Sequence, residues 1–364
     1  MTITRLEPRR CSPPLPDARG PLSHAVVAAL RDRVAPPSPV PPEEGGPYGE
    51  DLQLALYVLY ELHYQGFAGV DDDCEWDPAL LAFRRALEER FLAALRADVP
   101  VDTGAQEALD ELQVEPVGDD GTGVSHFLRN QGRPEHLREY AALRSLYHLK
   151  EADPHAWVIP RLHGRAKAAM AAVEFDEFGA GRADEIHAGL FADLMEELGL
   201  RTAYGYYLEA APAELLATVN LMSLFGLHRS LRGALTGHFA AVEVTSSPGS
   251  RRLAEALRRV GAGEAAVRFY DEHVVADAVH EQVVRHEVVG GLLESEPGLE
   301  TDVVFGIRAT GFLEDRLAAR LLAAWRGGHT ALRTGALPPV EADSRGTDGE
   351  PTPRHAHGPT SKEW

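Results

Sequence analysis

The stretch Phe269–Val289, FYDEHVVADAVHEQVVRHEVV, decides the fold that we expect for this chain. It contains neither Gly nor Pro, and His273, Asp277 and His280 recur in it at i, i+4 and i+7. On a helix these three side chains span roughly 60° of the circumference over about 10.5 Å of rise, so they share one face. Two imidazoles and a carboxylate on one rigid face suit iron, manganese or zinc. The stretch therefore predicts a helix that carries part of a metal site.

The alternative for this helix is an ordinary polar face, because the chain has 16 histidines and single motifs often match by accident. The pattern nevertheless predicts histidines that face a core, since several apolar residues fall partly on their side of the helix: Val274, Val275, Ala278, Val279 and Val283. The segment HEQVVRH is not a zinc-protease motif. His280 and His286 are six residues apart and lie on opposite faces, whereas that motif needs a spacing of four.

The composition excludes several classes of protein. A net charge of −20 over 364 residues argues against an electrostatic grip on nucleic acid or on an anionic membrane. The two cysteines, Cys11 and Cys74, do not suggest a structural disulfide, because Cys11 lies in a Pro-rich segment. The start of the chain lacks the apolar core of a signal peptide, and no apolar run is long enough to cross a bilayer. We therefore expect a cytoplasmic protein without membrane or nucleic-acid partners.

The chain divides into four predicted regions. Residues 1–46 form a Pro-rich leader that we expect to be disordered apart from a short helix at Ser23–Val34. Residues 47–100 read as a pair of amphipathic helices that pack on the main bundle. After a Gly- and Asp-rich connector, residues 134–330 form the main helical domain, and residues 336–364 form a tail that we expect to be disordered.

The predicted fold class is all-α. Helical periodicity runs through the main domain, with stop signals at Asp153-Pro154, at Gly179–Gly181 and at Gly199. The long apolar segment from Pro212 onward is too apolar for a surface helix and should lie centrally, bent at Gly226 or Gly233. The β-like run VEVTSS continues a helical period and is assigned to a helix end. The pattern indicates a bundle of seven or more helices.

Further metal ligands should come from other helices, because bundles build metal sites from inward-facing acids and histidines. Glu177 ends an Ala-rich helix, and His187 opens the face of the next one. Glu243 stands among Phe239, Val242 and Val244, where an unpaired carboxylate would be costly to bury. Glu151, at the end of YHLKEAD, is a further candidate. For each of these residues the alternative is a surface or ion-paired side chain, and Glu61 and His63 are read as packing or polar-face residues.

These residues resemble a known family. The order Glu177, His187, Glu243, His273, Asp277, His280 is similar to that of the haem-oxygenase-like diiron oxidases, in particular the branch of iron-containing redox enzymes. The amino-acid sequences of three segments are also similar to those of that branch: YHLKEADPHAWVIPRLHGRAK, DEFGAGRADEIHAGLFADLM and FYDEHVVADAVHEQV. The resemblance covers roughly Asp51–Arg326 and implies a seven-helix bundle of the haem-oxygenase type with extra N-terminal helices and disordered tails.

The resemblance also implies a ligand set of two Fe²⁺ per chain, with O2 as co-substrate. One iron would be held by Glu177, His187 and His280. The other would be held by His273 and Asp277, with Glu243 bridging or shared. Glu151 matches an extra carboxylate of the N-oxygenating members. A haem would leave most of these acids and histidines without a purpose.

The expected function is therefore that of a non-haem diiron oxygenase or oxidase acting on a small metabolite. N-oxygenation, hydroxylation, desaturation and oxidative C–C cleavage remain open as reactions, with an external electron donor and a homodimer as one possible assembly. The residues identify no catalytic group beyond the metal ligands. Two alternatives remain: a non-catalytic iron-binding or partner-binding bundle, and a cofactor-free hydrolase on the same fold, for which Cys74 is a poor nucleophile.

Overall fold

The computed structural model describes residues 12–42, 45–113, 123–335 and Leu337. The described residues form helices and turns and contain no strand, which confirms the all-α prediction. The α-helices are α1 (Pro21–Asp32), α2 (Glu50–Glu61), α3 (Pro78–Asp98), α4 (Ala105–Leu112), α5 (Val124–Asn130), α6 (Pro134–His148), α7 (Asp153–Ala156), α8 (Gly164–Glu177), α9 (His187–Glu197), α10 (Ala213–Leu227), α11 (Arg232–Arg259), α12 (Glu264–Val283), α13 (Gly290–Ser295) and α14 (Glu300–Arg326).

The stretch that decides the fold is helical over its whole length. α12 passes through a π-helical segment, Val284–Val289, into α13. Such π-helical insertions often lie beside functional sites. The prediction that the histidines face a core is confirmed, since His273 and His280 are 6% and 3% exposed. Two of the apolar residues that were expected to lie partly on their side do not, since Val275 and Val279 are 70% and 63% exposed. Their side chains lie on the face opposite the histidines because i+2 and i+6 from His273 point away from it.

α10 and α11 form the centre of the molecule. Nearly every side chain of α10 is buried, as its unbroken apolar sequence predicts. The helix ends at Leu227, next to the predicted bend at Gly226, and α11 follows a short turn. VEVTSS lies inside α11 and not at a helix end, because the helix continues through Pro248 to Arg259.

α11 crosses α14 closely through glycine on both helices. A methyl group at Gly237 would overlap the carbonyl of Val303, and one at Gly306 would overlap the carbonyl of Ala234. Only glycine allows two helix backbones to approach this closely. The crossing fixes the side chains that follow these glycines, including His238 and Thr310, against each other.

The short helix expected at Ser23–Val34 in the leader is present as α1, at Pro21–Asp32. α1 buries Leu22, Val26 and Leu30 against α2. The carboxylate of Asp51 accepts hydrogen bonds from the backbone N–H groups of Leu22 and Ser23 at 3.0 and 2.8 Å, which caps the start of α1. The Pro-rich segment before α1 is not helical, and its Pro13 and Pro16 are buried.

Two other regions also bear on the predictions. Part of the expected connector is helical, as α4 and α5, because Ala108, Leu109, Phe127 and Leu128 find apolar partners on the main domain. Residues 114–122 and the predicted tail, apart from Leu337, lie outside the described part of the chain. In that described part, no helix has the length and hydropathy needed to span a membrane.

Candidate metal centre

Two sets of buried acids and histidines lie together between α6, α8, α9, α11 and α12. The first consists of Glu151, Glu177, His187 and His273, whose nearest ligand atoms all lie within 4.8 Å of one another. Glu177 is the last residue of α8 and His187 the first of α9, so a short linker turns the chain and brings the two side chains together. All four side chains are buried.

The second set consists of Glu177, Glu243 and His280, again with ligand atoms within 4.8 Å. Glu177 therefore belongs to both sets. The grouping expected from the resemblance differs, since it placed His187 with His280 and gave the shared position to Glu243. The structure separates the two histidines because α9 packs beside His273 on α12, about two helical turns before His280.

The environment of His273 fixes its tautomer. Its Nδ1 lies 2.7 Å from the backbone carbonyl oxygen of Phe269, which can only accept a hydrogen bond. Nδ1 must therefore carry a proton, and Nε2 is the ring nitrogen that faces the other members of the set. Nε2 lies 3.7 Å from Glu151 Oε1. A neutral imidazole whose N–H is held by a backbone carbonyl is the usual state of a metal-ligating histidine.

His187 and Glu177 approach each other without a well-aligned hydrogen bond. His187 Nδ1 lies 2.6 Å from Glu177 Oε2, yet its direction leaves it without a hydrogen-bond partner among the described residues. Burial lowers the pKa of His187, but the Glu177 carboxylate outweighs burial and the net pKa is raised. The two atoms are close, but no hydrogen bond of good geometry joins them. Two ligands of the same cation would be arranged in this way.

His280 lies between three carboxylates. Its Nδ1 is 3.2 Å from Glu243 Oε2 and 3.7 Å from Glu177 Oε1, and its Nε2 is 3.3 Å from Asp176 Oδ2. Burial lowers the pKa of His280, but these acids, Glu243 first, raise it to about 9. Asp176 was not predicted as part of the site. It neighbours Glu177 but projects about 100° round the helix, so only the packing of α8 on α12 shows its role.

Glu151 reaches the site from a turn and not from a helix. Its Oε1 lies 2.9 Å from His148 Nδ1, and its Oε2 has no hydrogen-bond partner among the described residues. Burial raises the pKa of Glu151, but His148 and His273 outweigh burial and hold it well below the usual value. The next residue, Ala152, has φ 75° and ψ −35°, a strained backbone for a non-glycine residue. The strained turn directs the carboxylate inward.

Glu174 is a second acid that the sequence reading missed. It lies one helical turn before Glu177, is buried, and neither of its oxygens has a hydrogen-bond partner in the described structure. Burial, followed by the charges of Glu177 and Glu243, raises its pKa to about 9, so the carboxyl is protonated at neutral pH. The spacing of three residues from Glu177 on an Ala-rich helix was a signal that could have identified it.

The structure thus brings together six of the seven predicted ligands. The side chain of the seventh, Asp277, lies outside the described part of the structure, although its backbone belongs to α12. Asp277 as a ligand therefore stays a prediction, as do the metal roles of the other six residues.

A cavity of about 450 Å³ adjoins the two sets. Glu151, Glu177, Glu243 and His273 lie on its wall. Most of the remaining wall is apolar and comes from α10, α11 and α14, including Leu221, Met222, Phe239, Leu313 and Leu317. This volume is typical of sites for small molecules, which are largely apolar with a few placed polar groups.

The donor set fits iron. Three buried carboxylates and three imidazoles combine ligands that suit first-row metals, and burying the acids without a cation would be costly. The partners that the structure gives these acids are histidines, which can release a proton when a metal binds. Oε2 of Glu151, which is buried and has no hydrogen-bond partner among the described residues, also points to an ion at this position.

Comparison with known proteins gives the class of this helical domain. Residues 138–315 match a family model of haem-oxygenase type, which confirms the resemblance drawn from the sequence. The description of that family is iron-containing redox enzyme, and the match covers just under half of the chain. The matched segment begins in α6, ends in α14 and contains all seven predicted ligands. No curated protein matches the chain.

Proposed function

We propose that the protein is a non-haem diiron oxygenase or oxidase that uses O2 to oxidise a small metabolite. The observation that carries the proposal is the pair of buried ligand sets with Glu177 in common. Two ions bridged by one carboxylate, with the remaining acids and imidazoles from facing helices, are the usual arrangement of dinuclear iron sites in helical proteins.

In this proposal Glu151, His187 and His273 would hold one ion, Glu243 and His280 would hold the other, and Glu177 would serve both. Two ferrous ions bound there would supply the electrons for reducing O2 and open positions at which it can bind. Asp176 orients the imidazole of His280 through Nε2, and the Phe269 carbonyl orients that of His273. The apolar part of the cavity wall would limit the access of water, and an external donor would have to return the electrons.

The cavity favours catalysis over iron binding without catalysis, because a storage or structural site needs no space for an organic molecule. It also weighs against a hydrolase with a cysteine nucleophile. Cys74 belongs to a short turn, Asp72–Trp76, and lines a different hollow with Asp71 and Asp77. The reaction type remains open among N-oxygenation, hydroxylation, desaturation and oxidative C–C cleavage.

The test is iron loading under anaerobic conditions, followed by metal analysis and rapid mixing with O2. We expect about two irons per chain and a transient visible absorption band after O2 is added. Glu177→Ala should lose most of both irons because the carboxylate belongs to both sets, whereas Glu243→Ala should keep about one. His63→Ala and His286→Ala are matched controls that should load fully. A Glu177→Ala protein that retains both irons would contradict the proposed bridge.

A further inference from the structure

A second polar group of residues lies on the wall of the cavity and is not part of the ligand sets. His155 and His238 are buried, with 2% and 1% of their surface exposed. Their ring centroids are 5.2 Å apart. Among the described residues, neither Nε2 atom has a hydrogen-bond partner. A buried polar atom without a partner on a cavity wall is placed to meet a group of a bound molecule.

The tautomer of His238 follows from its neighbour on α14. The hydroxyl of Thr310 donates its single hydrogen to the carbonyl oxygen of Gly306 at 2.7 Å. His238 Nδ1 lies 2.8 Å from the same hydroxyl oxygen and must therefore be the donor to it. Nε2 is left with a lone pair and can only accept a hydrogen bond. Burial lowers the pKa of His238 to about 4, so the ring is neutral at physiological pH.

Two oppositely charged side chains near His238, Arg144 and Glu314, form an ion pair, so their charges largely cancel. Arg144 donates two hydrogen bonds to the carboxylate of Glu314, at 2.8 and 2.6 Å. Both residues lie on the cavity wall together with His238 and Thr310. This part of the wall is therefore polar but carries little net charge. Since Nε2 would repel the lone pairs of a carboxylate or an ether, its complement is a hydroxyl or amino hydrogen.

We infer that His238 Nε2 accepts a hydrogen bond from the substrate, which therefore carries a hydroxyl or amino group on an otherwise apolar skeleton. The inference rests on the proposed function only in calling the bound molecule the substrate. His238 and Glu243 are five residues apart on α11, an axial rise of about 7.5 Å. Phe239, Leu221 and Met222 line the cavity with them. A molecule held at His238 thus extends a short apolar chain toward the metal ligands.

The experiment compares two isomers, 1-octanol and heptyl methyl ether, which differ in having or lacking a hydrogen-bond donor. Their affinities for the iron-loaded protein are measured by calorimetry without O2. We expect the alcohol to bind at least about tenfold more tightly than the ether. A buried hydrogen bond to an otherwise unsatisfied acceptor typically changes affinity by about this factor. Affinities within twofold of each other, or no binding of either compound, would overturn the inference.

Substitutions assign the preference to this residue. His238→Phe should remove the preference for the alcohol, and His238→Gln, which keeps an acceptor, should restore part of it. Thr310→Val takes away the acceptor that fixes the tautomer and should weaken the preference. His136→Phe is the control, since His136 is buried elsewhere and does not line the cavity. An alcohol preference that survives His238→Phe would contradict the assignment.

Iron content measured on the same samples separates the two proposals. His238→Phe with normal iron and no preference supports the inference on substrate recognition. A wild-type protein that binds no iron but still prefers the alcohol through His238 would remove the proposed function and leave the recognition site standing. In ¹⁵N-labelled protein, a His238 Nε2 resonance in the protonated range would overturn the tautomer assignment and the inference with it.

Discussion

Asp176 is a half-exposed residue that contacts a member of the buried sets, His280. Its carboxylate accepts from Nε2 of His280 and fixes which ring nitrogen faces Glu243 and Glu177. Carboxylates that hold ligating histidines in this way typically contribute 10–100-fold to metal affinity, and their effect is to orient the ring and raise its basicity.

We therefore expect Asp176→Asn to lower the affinity for Fe²⁺ by about 10–100-fold while the fold is retained. Competition with a calibrated chelator measures the affinity, and circular dichroism checks the fold. Asp193→Asn is the matched control, since Asp193 is exposed on α9. Equal affinities for the two variants would show that Asp176 does not orient His280.

His238 makes the stability of the metal-free protein depend on pH. Burial lowers its pKa from 6.5 to about 4, so between these values the unfolded chain binds a proton that the folded chain does not. Stability is therefore lost as pH falls from about 6.5 toward 4. His238→Gln cannot protonate, and its stability relative to wild type should rise by roughly 2–3 kcal/mol between pH 7 and pH 4.5. Urea unfolding in the presence of EDTA measures this difference, and a pH-independent difference would contradict the buried neutral ring.

At the scale of helices, a buried ion pair joins α2 to the turn that carries Glu151. Lys150 Nζ lies 2.8 Å from Glu61 Oε2, both side chains are almost fully buried, and the Tyr204 hydroxyl donates to Glu61 Oε1 at 2.5 Å. The charged end of Lys150 also lies 4.3 Å from the ring centre of Tyr64. α2 precedes the segment that matches the family, so this pair anchors the start of the matched domain to the N-terminal helices.

Replacing one partner of this ion pair should lower the free energy of unfolding more than replacing both. Lys150→Met or Glu61→Gln alone should lower the free energy of unfolding by about 3–5 kcal/mol, because each strands a buried polar or charged partner. The double variant should recover a large part of that loss. Chemical denaturation of the four proteins in this cycle provides the measurement. Strictly additive losses would mean that the two residues act independently.

For the whole molecule, metal binding and folding should be linked. The candidate ligands come from distant parts of the chain and converge only in the folded state, so under the proposed function iron would bind the native protein far better than the unfolded one. At a free iron concentration 100 times the dissociation constant, each site should add about 2.7 kcal/mol to the free energy of unfolding.

Anaerobic addition of Fe²⁺ should accordingly raise the melting temperature, and chelation should reverse the rise. Glu177→Ala should show little of this effect, whereas His286→Ala, in which an exposed residue is changed, should behave as wild type. A melting temperature that does not respond to iron in the wild-type protein would argue against a metal site in the bundle.

Much of the site could be predicted because helix geometry is local. The spacing of His273 and His280 was enough to place them on one face, and the apolar surroundings of Glu243 were enough to predict its burial. Composition was less informative for the leader, where α1 packs against α2, and the sequence reading missed Asp176 and Glu174. The contact between Asp176 and His280 depends on how α8 packs on α12, which the sequence does not show. Glu174 differs, because its spacing of three residues from Glu177 is present in the sequence.

The sequence by itself determined the all-α class, the faces of the helices and the residue types able to bind iron. These follow from hydrophobic periodicity and side-chain chemistry within single segments. Only the tertiary structure decided that Glu177 is common to both sets, that His187 lies beside His273, and that Thr310 fixes the free nitrogen of His238 on the cavity wall. Each of these depends on the rotation and separation of helices distant in sequence. Close contacts such as that of Gly237 on α11 with Val303 on α14 set this arrangement, which no local pattern specifies.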